Sequence, residues 1–167
     1  MNRRPVHIRE KAYYYNAFIR PEDVYPIAWK IMCYAPSPQQ AMHQAFDFVI
    51  ANIKYEKDMR IYNRRDVWQF PFETLRMGTG DCEDMAFLLA SILIALGFRN
   101  TRVGLGTRKG EGHAWVEVNI GYRTYLLDCT HKVIYDLSVD KSQDYRVFYY
   151  IYRWGCRRPI TKNSNYL

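Results

Sequence analysis

The pattern of apolar positions predicts three helices in the first hundred residues. A short helix is predicted to run from Pro21 toward Met32. Residues 85–96 are apolar at nearly every position, follow the N-cap candidate Asp81 and stop before Gly97, so they predict a helix that is buried on all sides. Between these two, spacings of three and four predict an amphipathic helix through Met42, Ala45, Phe46, Val49 and Ile53.

The part of the chain after Gly97 has the pattern of strands. Residues 101–107, 113–120 and 122–128 are rich in Val, Leu and Tyr or alternate between apolar and polar positions, and residues 147–154 add a further aromatic stretch. Consecutive short strands of this kind predict an antiparallel sheet. The fold class is therefore α+β, with the buried helix packed on the sheet.

A tight turn near Gly121 would pair two of these strands as a hairpin. Residues opposite each other then have numbers that sum to about 241, which sets His113 opposite Asp128. Because side chains alternate along a strand, these two residues share one face. The other face is predicted to be apolar and to pack on the core through Ala114, Val116, Val118, Tyr125 and Leu127.

Cys82 is predicted to occupy the first turn of the buried helix. Unpaired backbone N–H groups and the helix dipole favour a thiolate there, and the preceding residues 78–80 allow a close approach of substrate. The neighbouring carboxylates would raise the pKa of the thiol unless a histidine lies alongside. His113 as base and Asp128 as its partner complete a candidate catalytic triad.

Residues near these three are candidates for the substrate cleft. The backbone N–H of Cys82 is a first oxyanion donor, and the side chain of Trp68 or Gln69 is a second, although Trp68 also fits a core or groove aromatic. Trp115 lies two residues beyond His113 on the same face and could wall the cleft or simply pack. Residues 106–112 are either a loop that gates access or a hairpin turn.

Length and composition fit one domain of 167 residues, with a core at about 40–137, an N-terminal extension at 1–39 and a C-terminal strand and tail at 138–167. The chain shows no secretory signal, and its longest apolar stretch is too short to cross a bilayer, so no membrane partner is expected. Four scattered cysteines without C-x-x-C pairs argue against a disulfide framework. These observations predict a cytoplasmic, reducing location.

Two other site chemistries are less well supported. The net charge of +7 would suit an acidic partner, but no basic helix, zinc finger or RNA-binding signature is present, so nucleic acid is not expected as a partner. Zinc could be held by Cys82, His113, Cys129 and His131, but the spacing matches no standard zinc motif, and Cys129 would point away from Asp128. We therefore expect no cofactor and no metal.

Several motifs together resemble the bacterial and archaeal transglutaminase-like superfamily over roughly residues 40–130. They are, in order, Asn52-Ile53-Lys54-Tyr55 with Asp58, then Trp68-Gln69, Pro71 and Glu73-Thr74-Leu75, then Gly80-Asp81-Cys82-Glu83-Asp84, then Gly112-His113-Ala114-Trp115-Val116-Glu117-Val118, and finally Leu127-Asp128. The resemblance implies a papain-like fold, a Cys82 nucleophile, a His113 base and an Asp128 that orients it.

The resemblance implies an enzyme that acts on amide bonds of a peptide or protein through a thioester, with a cysteine peptidase or amidase favoured. Two alternatives remain open: an acyltransferase of the transglutaminase type, and a non-catalytic binding or assembly module on the same fold. Some relatives bind calcium through acidic residues beside the nucleophile, where Asp81 and Glu83 stand in this sequence. An N-cap role for Asp81 and a favourable first-turn charge for Glu83 account for both residues without a metal.

Overall fold

The computed structural model of the chain describes residues 15–58, 60, 67–140 and 143–158. Two 3-10 helices, Tyr15–Phe18 and Pro21–Asp23, precede the helices α1 (Tyr25–Tyr34), α2 (Pro38–Asn52), α3 (Pro71–Met77) and α4 (Cys82–Ala95). The strands are β1 (Lys54–Tyr55), β2 (Thr79–Gly80), β3 (Arg102–Arg108), β4 (Glu111–Ile120), β5 (Arg123–Asp128), β6 (Val133–Asp136), β7 (Tyr145–Tyr152) and β8 (Gly155–Arg157).

Local sequence signals explain where the helices begin and end. Ser37 is the N-cap of α2, and its hydroxyl accepts a hydrogen bond from the backbone N–H of Gln40 at 3.2 Å. Helix α4 begins after Asp81 and is followed by Gly97 at φ 98°. Both helices were predicted by the apolar pattern. Helix α3 was missed, although it has proline at its first position and ends at Gly78 in the left-handed region.

Six strands form one antiparallel sheet in the order β6-β5-β4-β3-β7-β8, whereas β1 and β2 form a separate parallel pair. The predicted antiparallel sheet and the α+β class are confirmed. Strands β3 and β4 are joined by the two-residue turn Lys109–Gly110, and both residues have positive φ. Of the two alternatives for residues 106–112, the structure has the hairpin turn.

The register of the β4–β5 hairpin differs from the prediction. Val116 pairs with Leu127 and Ile120 with Arg123, because the turn uses Gly121 and Tyr122 as its two loop residues and Gly121 adopts φ 60°. The predicted pairing of His113 with Asp128 is therefore wrong by two residues. A shift of two keeps every side chain on its predicted face, so the two residues become diagonal neighbours on one side.

Helix α4 lies at the centre of the core, which includes residues of α1 and α2 as well as one face of the sheet. The sheet face that packs on it contains Ala114, Val116, Val118 and Leu127, with Tyr125 half-buried at its margin. The predicted apolar face is thus confirmed. Among the described residues, no helix is both long enough and apolar enough to cross a membrane. All four cysteines are free thiols.

Candidate active site

Cys82 is the first residue of α4, and its position is fixed by a capping box. The Asp81 side chain accepts hydrogen bonds from the backbone N–H groups of Glu83 and Asp84, at 3.2 and 3.5 Å. The Asp84 carboxylate accepts one in return from the Asp81 backbone N–H at 3.3 Å. The predicted N-cap is confirmed, and it presents the Cys82 side chain at the head of a buried helix.

The Cys82 sulfur lies between a carboxylate and the start of β4. The thiol donates to Glu83 Oε2 at 2.9 Å, and the backbone N–H of Ala114 donates to the sulfur. Burial raises the pKa of the thiol, and the charges of Glu83 and Asp81 raise it further, which outweighs the opposite effect of the Ala114 bond. In this arrangement the sulfur carries its proton, so a base beside it is needed for nucleophilic chemistry.

His113 and Asp128 form a direct contact on the other side of the sheet from the main core. His113 Nε2 lies 2.7 Å from Asp128 Oδ2, and the two side chains are 6% and 0% exposed. The diagonal register of β4 and β5 brings them together. Because Nε2 is engaged with the carboxylate, Nδ1 is the ring nitrogen that remains for a proton exchange with another group.

Two further side chains reach the same carboxylate. His131 Nδ1 lies 2.8 Å from Asp128 Oδ2, and the Tyr145 hydroxyl donates to that oxygen at 2.7 Å. Burial would raise the pKa of Asp128, but the bonds from His113, Tyr145 and His131 outweigh it and lower the pKa to about 2. Asp128 is therefore an ionised hydrogen-bond acceptor at neutral pH.

The sequence did not indicate either of these partners in this role. His131 was considered only as a zinc ligand, and Tyr145 was not singled out. The structure brings His113, Asp128 and His131 together, with ligand atoms within 4.8 Å of one another, whereas Cys129 is buried in the core. Within the described part of the chain, the four-residue zinc set considered above is therefore not assembled.

Trp115 packs over β3 beside the histidine. It is 1% exposed, its indole N–H donates to Glu117 Oε1 at 3.2 Å, and its ring lies 6.3 Å from that of His113. A Cβ added to Gly104, its partner across the β3–β4 pair, would lie 2.6 Å from the indole ring. The Trp115 ring therefore packs between Gly104 of β3 and the His113 ring.

The two oxyanion candidates occupy different places. Trp68 is 6% exposed, and its ring packs against Tyr15, Phe18 and Phe87 at centroid distances of 4.8 to 5.3 Å. Gln69 is 1% exposed, and its Nε2 donates to the backbone carbonyl of Thr79 at 3.3 Å, three residues before Cys82. The Gln69 carboxamide is therefore the one that contacts the loop leading to the candidate nucleophile.

Three carboxylates form a cluster near the N-terminus of α4. One oxygen from each of Asp58, Asp81 and Asp84 lies within 4.8 Å of the others, and Asp58 and Asp84 are buried. Burial and mutual repulsion raise the pKa of both Asp81 and Asp84. Carboxylate oxygens are ligands that a hard divalent cation such as calcium prefers, and a bound cation would neutralise the repulsion. Glu83 instead accepts the bond from the Cys82 thiol.

A cavity of about 520 Å³ lies beside the head of α4, between the end of α2 and the turn that follows β5. Tyr55 and Met85 line it together with Gly78, Thr130 and Lys132. Burial, followed by the charge of Cys82, raises the pKa of Tyr55 to about 12. The cavity is thus a concave surface close to the first turn of α4.

Solved structures with the same fold include the LapG protein of Legionella pneumophila. The EGTA-treated form superposes with a TM-score of 0.67 at 19% identity and covers 87% of this chain and 89% of LapG. A second LapG structure gives 0.66 at 18% identity, with 84% and 88% covered, and the calcium-bound form gives 0.56 at 19% identity, with 87% and 91% covered. At these identities the likeness establishes the fold, and it confirms the predicted papain-like, transglutaminase-type architecture.

No curated protein matches the sequence. The family model of the bacterial transglutaminase-like cysteine proteinases (BTLCP) matches residues 28–150, which span most of the chain and contain Cys82, His113 and Asp128. This agrees with the resemblance noted in the sequence and extends it in both directions. The chain therefore belongs to the bacterial transglutaminase-like cysteine proteinase family.

Proposed function

We propose that Cys82, His113 and Asp128 are the catalytic triad of a cysteine peptidase or amidase. The observation that carries the proposal is the 2.7 Å contact between His113 Nε2 and Asp128 Oδ2, because it pairs the candidate base with a buried carboxylate. The backbone of Ala114, the residue after His113, bonds to the Cys82 sulfur, which supports the same assignment. His113 is bound to Asp128 through Nε2 and has Nδ1 left to exchange a proton with the thiol. Membership of a cysteine proteinase family supports the same role for the thiol.

In the proposed reaction, His113 Nδ1 takes the proton of the Cys82 thiol, and the thiolate attacks the carbonyl carbon of an amide. The C–N bond then breaks, the leaving amine takes the proton from His113, and a thioester remains on Cys82. Water, deprotonated by His113, attacks the thioester and releases the acid and the thiol. The Asp128 carboxylate stabilises the imidazolium that forms in each half of the cycle.

The oxyanion would be bound by the backbone N–H of Cys82 and by one side-chain donor. Of the two candidates, Gln69 is favoured over Trp68, because its carboxamide contacts the loop before Cys82 while the Trp68 ring packs among core aromatics. Trp115 would shield the His113–Asp128 bond from water, since its buried ring lies next to His113. A peptide or protein chain is the proposed substrate, and the cavity beside Tyr55 is the proposed place for part of it.

Reaction of the thiol tests the proposal without knowledge of the substrate. We expect iodoacetamide at neutral pH to alkylate Cys82 of the wild type at least tenfold faster than Cys82 of a His113→Ala variant, because removal of the imidazole leaves a thiol of raised pKa. Cys33 is exposed and serves as an internal reference in both proteins. Equal rates at Cys82 in the two proteins would refute the triad and favour a non-catalytic module on this fold.

Turnover then separates hydrolysis from acyl transfer. A peptide library incubated with the wild type, with and without a primary amine, is expected to give free acids in both cases if the enzyme is a peptidase or amidase. Products coupled to the amine would identify the acyltransferase alternative, in which an amine rather than water resolves the thioester. A Cys82→Ala variant is the control for both products.

We further propose that Asp58, Asp81 and Asp84 hold a calcium ion. Three carboxylates with ligand oxygens within 4.8 Å of one another, two of them buried, supply the type of ligand that calcium prefers and part of its oxygen coordination. One of the structures with this fold is a calcium-bound LapG. A bound calcium ion would neutralise Asp81, which is one of the two carboxylates, with Glu83, that raise the pKa of the Cys82 thiol. This differs from the sequence-based expectation, which assigned Asp81 only an N-cap role.

A further inference from the structure

The carboxylate of Asp128 is shared by more donors than a histidine partner requires. Its Oδ2 lies 2.7 Å from His113 Nε2, 2.8 Å from His131 Nδ1 and 2.7 Å from the Tyr145 hydroxyl. Its Oδ1 accepts the backbone N–H of His131 at 3.1 Å. Both oxygens of a side chain that is fully buried are therefore engaged, from three different segments of the fold.

We propose that His131 and Tyr145 are positioning residues that fix Asp128, and through it the His113 ring, in the geometry that the reaction needs. The inference rests on the proposed triad and adds two residues to it. Neither residue touches the candidate nucleophile. Their effect would pass through one hydrogen-bond acceptor, and this distinguishes them from residues that bind substrate.

His131 holds the carboxylate at two points. Its backbone N–H binds Oδ1 and its ring N–H binds Oδ2, so rotation of the carboxylate about its Cβ–Cγ bond would break one bond or the other. The turn after β5 sets this geometry, and the next residue, Lys132, adopts the left-handed φ of 57°. The His131 ring also meets the His113 ring edge-on at 4.9 Å, which limits rotation of that imidazole.

Tyr145 holds the same oxygen from a more distant strand, on the same face of the sheet as His113. It is the first residue of β7, which pairs with β3 rather than with β5, so its hydroxyl approaches Asp128 across the middle strands. Arg108 Nε donates to that hydroxyl at 3.1 Å, and the guanidinium lies over the Tyr145 ring. The arginine thus orients the hydroxyl so that its proton points at Asp128.

These contacts matter because the direction of Nδ1 depends on where Nε2 is held. If Asp128 rotates or shifts, the His113 ring follows its hydrogen bond, and Nδ1 turns away from the sulfur. A displacement of about 1 Å in a reacting group can cost on the order of a hundredfold in rate. We therefore expect removal of either positioning residue to slow the chemistry at Cys82 about tenfold or more, with the fold retained.

Matched variants separate the hydrogen bond from the bulk of each side chain. His131→Leu removes the ring donor, whereas His131→Asn restores it, since the Asn amide nitrogen stands the same number of bonds from Cα as Nδ1. Tyr145→Phe removes the hydroxyl. Its control is Tyr135→Phe, because the Tyr135 ring contacts the Tyr145 ring at 6.1 Å. Tyr135 is not among the described donors to Asp128, which are His113, His131 and Tyr145.

Two readouts are measured on each protein: the rate of Cys82 alkylation by iodoacetamide, and the proton NMR signal of the His113 Nε2–H, which a bond to a carboxylate moves far downfield. We expect slow alkylation and a shifted or exchange-broadened signal in His131→Leu and Tyr145→Phe. We expect near wild-type values in His131→Asn and Tyr135→Phe. Rates within twofold of the wild type and an unchanged signal in His131→Leu and Tyr145→Phe would overturn the proposal.

The NMR signal keeps this test apart from that of the triad. If Cys82 of the wild type reacts no faster than in His113→Ala, the proposed catalytic role fails, and the signal in the His131 and Tyr145 variants alone decides whether they position Asp128. If circular dichroism shows that His131→Leu is unfolded, the comparison of Tyr145→Phe with Tyr135→Phe decides. A broadened signal in both tyrosine variants would count against the inference.

Discussion

Replacing Asp128 with asparagine should lower the free energy of unfolding by about 2 kcal/mol at pH 7. The charge-assisted hydrogen bonds lower the pKa of the carboxylate from 3.8 to about 2, and each pKa unit is worth about 1.4 kcal/mol. An amide cannot replace the carboxylate in either orientation. If the amide NH2 group takes the Oδ2 position, it faces the three side-chain donors and cannot accept their hydrogen bonds. If it takes the Oδ1 position, it faces the His131 backbone N–H, which is also a donor.

The effect should depend on pH with a definite sign. Since the folded pKa of Asp128 is the lower one, its contribution is fully present above about pH 4 and is lost as the pH falls toward 2, so roughly half of it remains at pH 3. Urea unfolding of the wild type and of Asp128→Asn, followed by circular dichroism at pH 7 and pH 3, measures the difference. Asp136→Asn is the control, because Asp136 is paired with Arg123 at the surface and should change stability little. A difference that is the same at both pH values would refute the reasoning.

Three more outcomes follow from contacts near the site. Gly80→Ala would bring a Cβ within 2.7 Å of the Asp84 Cβ and so disturb the capping box that positions Cys82, and alkylation of Cys82 by iodoacetamide should become slower. In the control Gly112→Ala, no described atom lies within 4 Å of the new Cβ, and Cys82 should react at the wild-type rate. Arg102→Met leaves the buried Glu117 carboxylate without its cation and should lower the free energy of unfolding, measured in urea, by about 3 kcal/mol. A loss below about 1 kcal/mol would show that other groups compensate the Glu117 charge. Millimolar calcium should raise the melting temperature of the wild type but not of Asp84→Asn in differential scanning fluorimetry, and an equal rise in both would place the ion elsewhere.

Periodicity alone was enough to predict the elements that carry the candidate site. The apolar run before Gly97 gave helix α4, and the alternation around His113 gave the strand and its two faces. The face of each side chain was right even though the hairpin register was not, because an error of two residues preserves the alternation. The turn geometry of Gly121 and Tyr122 decides the register, and the residue pattern alone did not distinguish it from a turn one residue earlier.

The partners of Asp128 were not predictable by the same means. Tyr145 reaches the carboxylate because β7 pairs with β3, and this strand order leaves no local signal in the sequence. His131, by contrast, lies only three residues after Asp128. An aspartate at the start of a turn commonly accepts a hydrogen bond from a backbone N–H a few residues later, and this local pattern could have indicated the His131 contact. Helix α3 was also missed, although Pro71 at its start and Gly78 after its end are the expected boundary residues.

The absence of a side chain at Gly104 has a consequence for how this sequence can change. The glycine hydrogen leaves the space that the Trp115 indole fills, and that indole packs beside His113 and at 5.2 Å from the Tyr145 ring. A single added methyl group at position 104 would therefore push on both rings at once, from a strand that contributes no proposed catalytic group. Substitutions on β3 should therefore be rejected at Gly104, and also at Gly106, where an added Cβ would overlap the backbone carbonyl oxygen of Arg146. A deep mutational scan scored for activity rather than expression would show both glycines as intolerant positions.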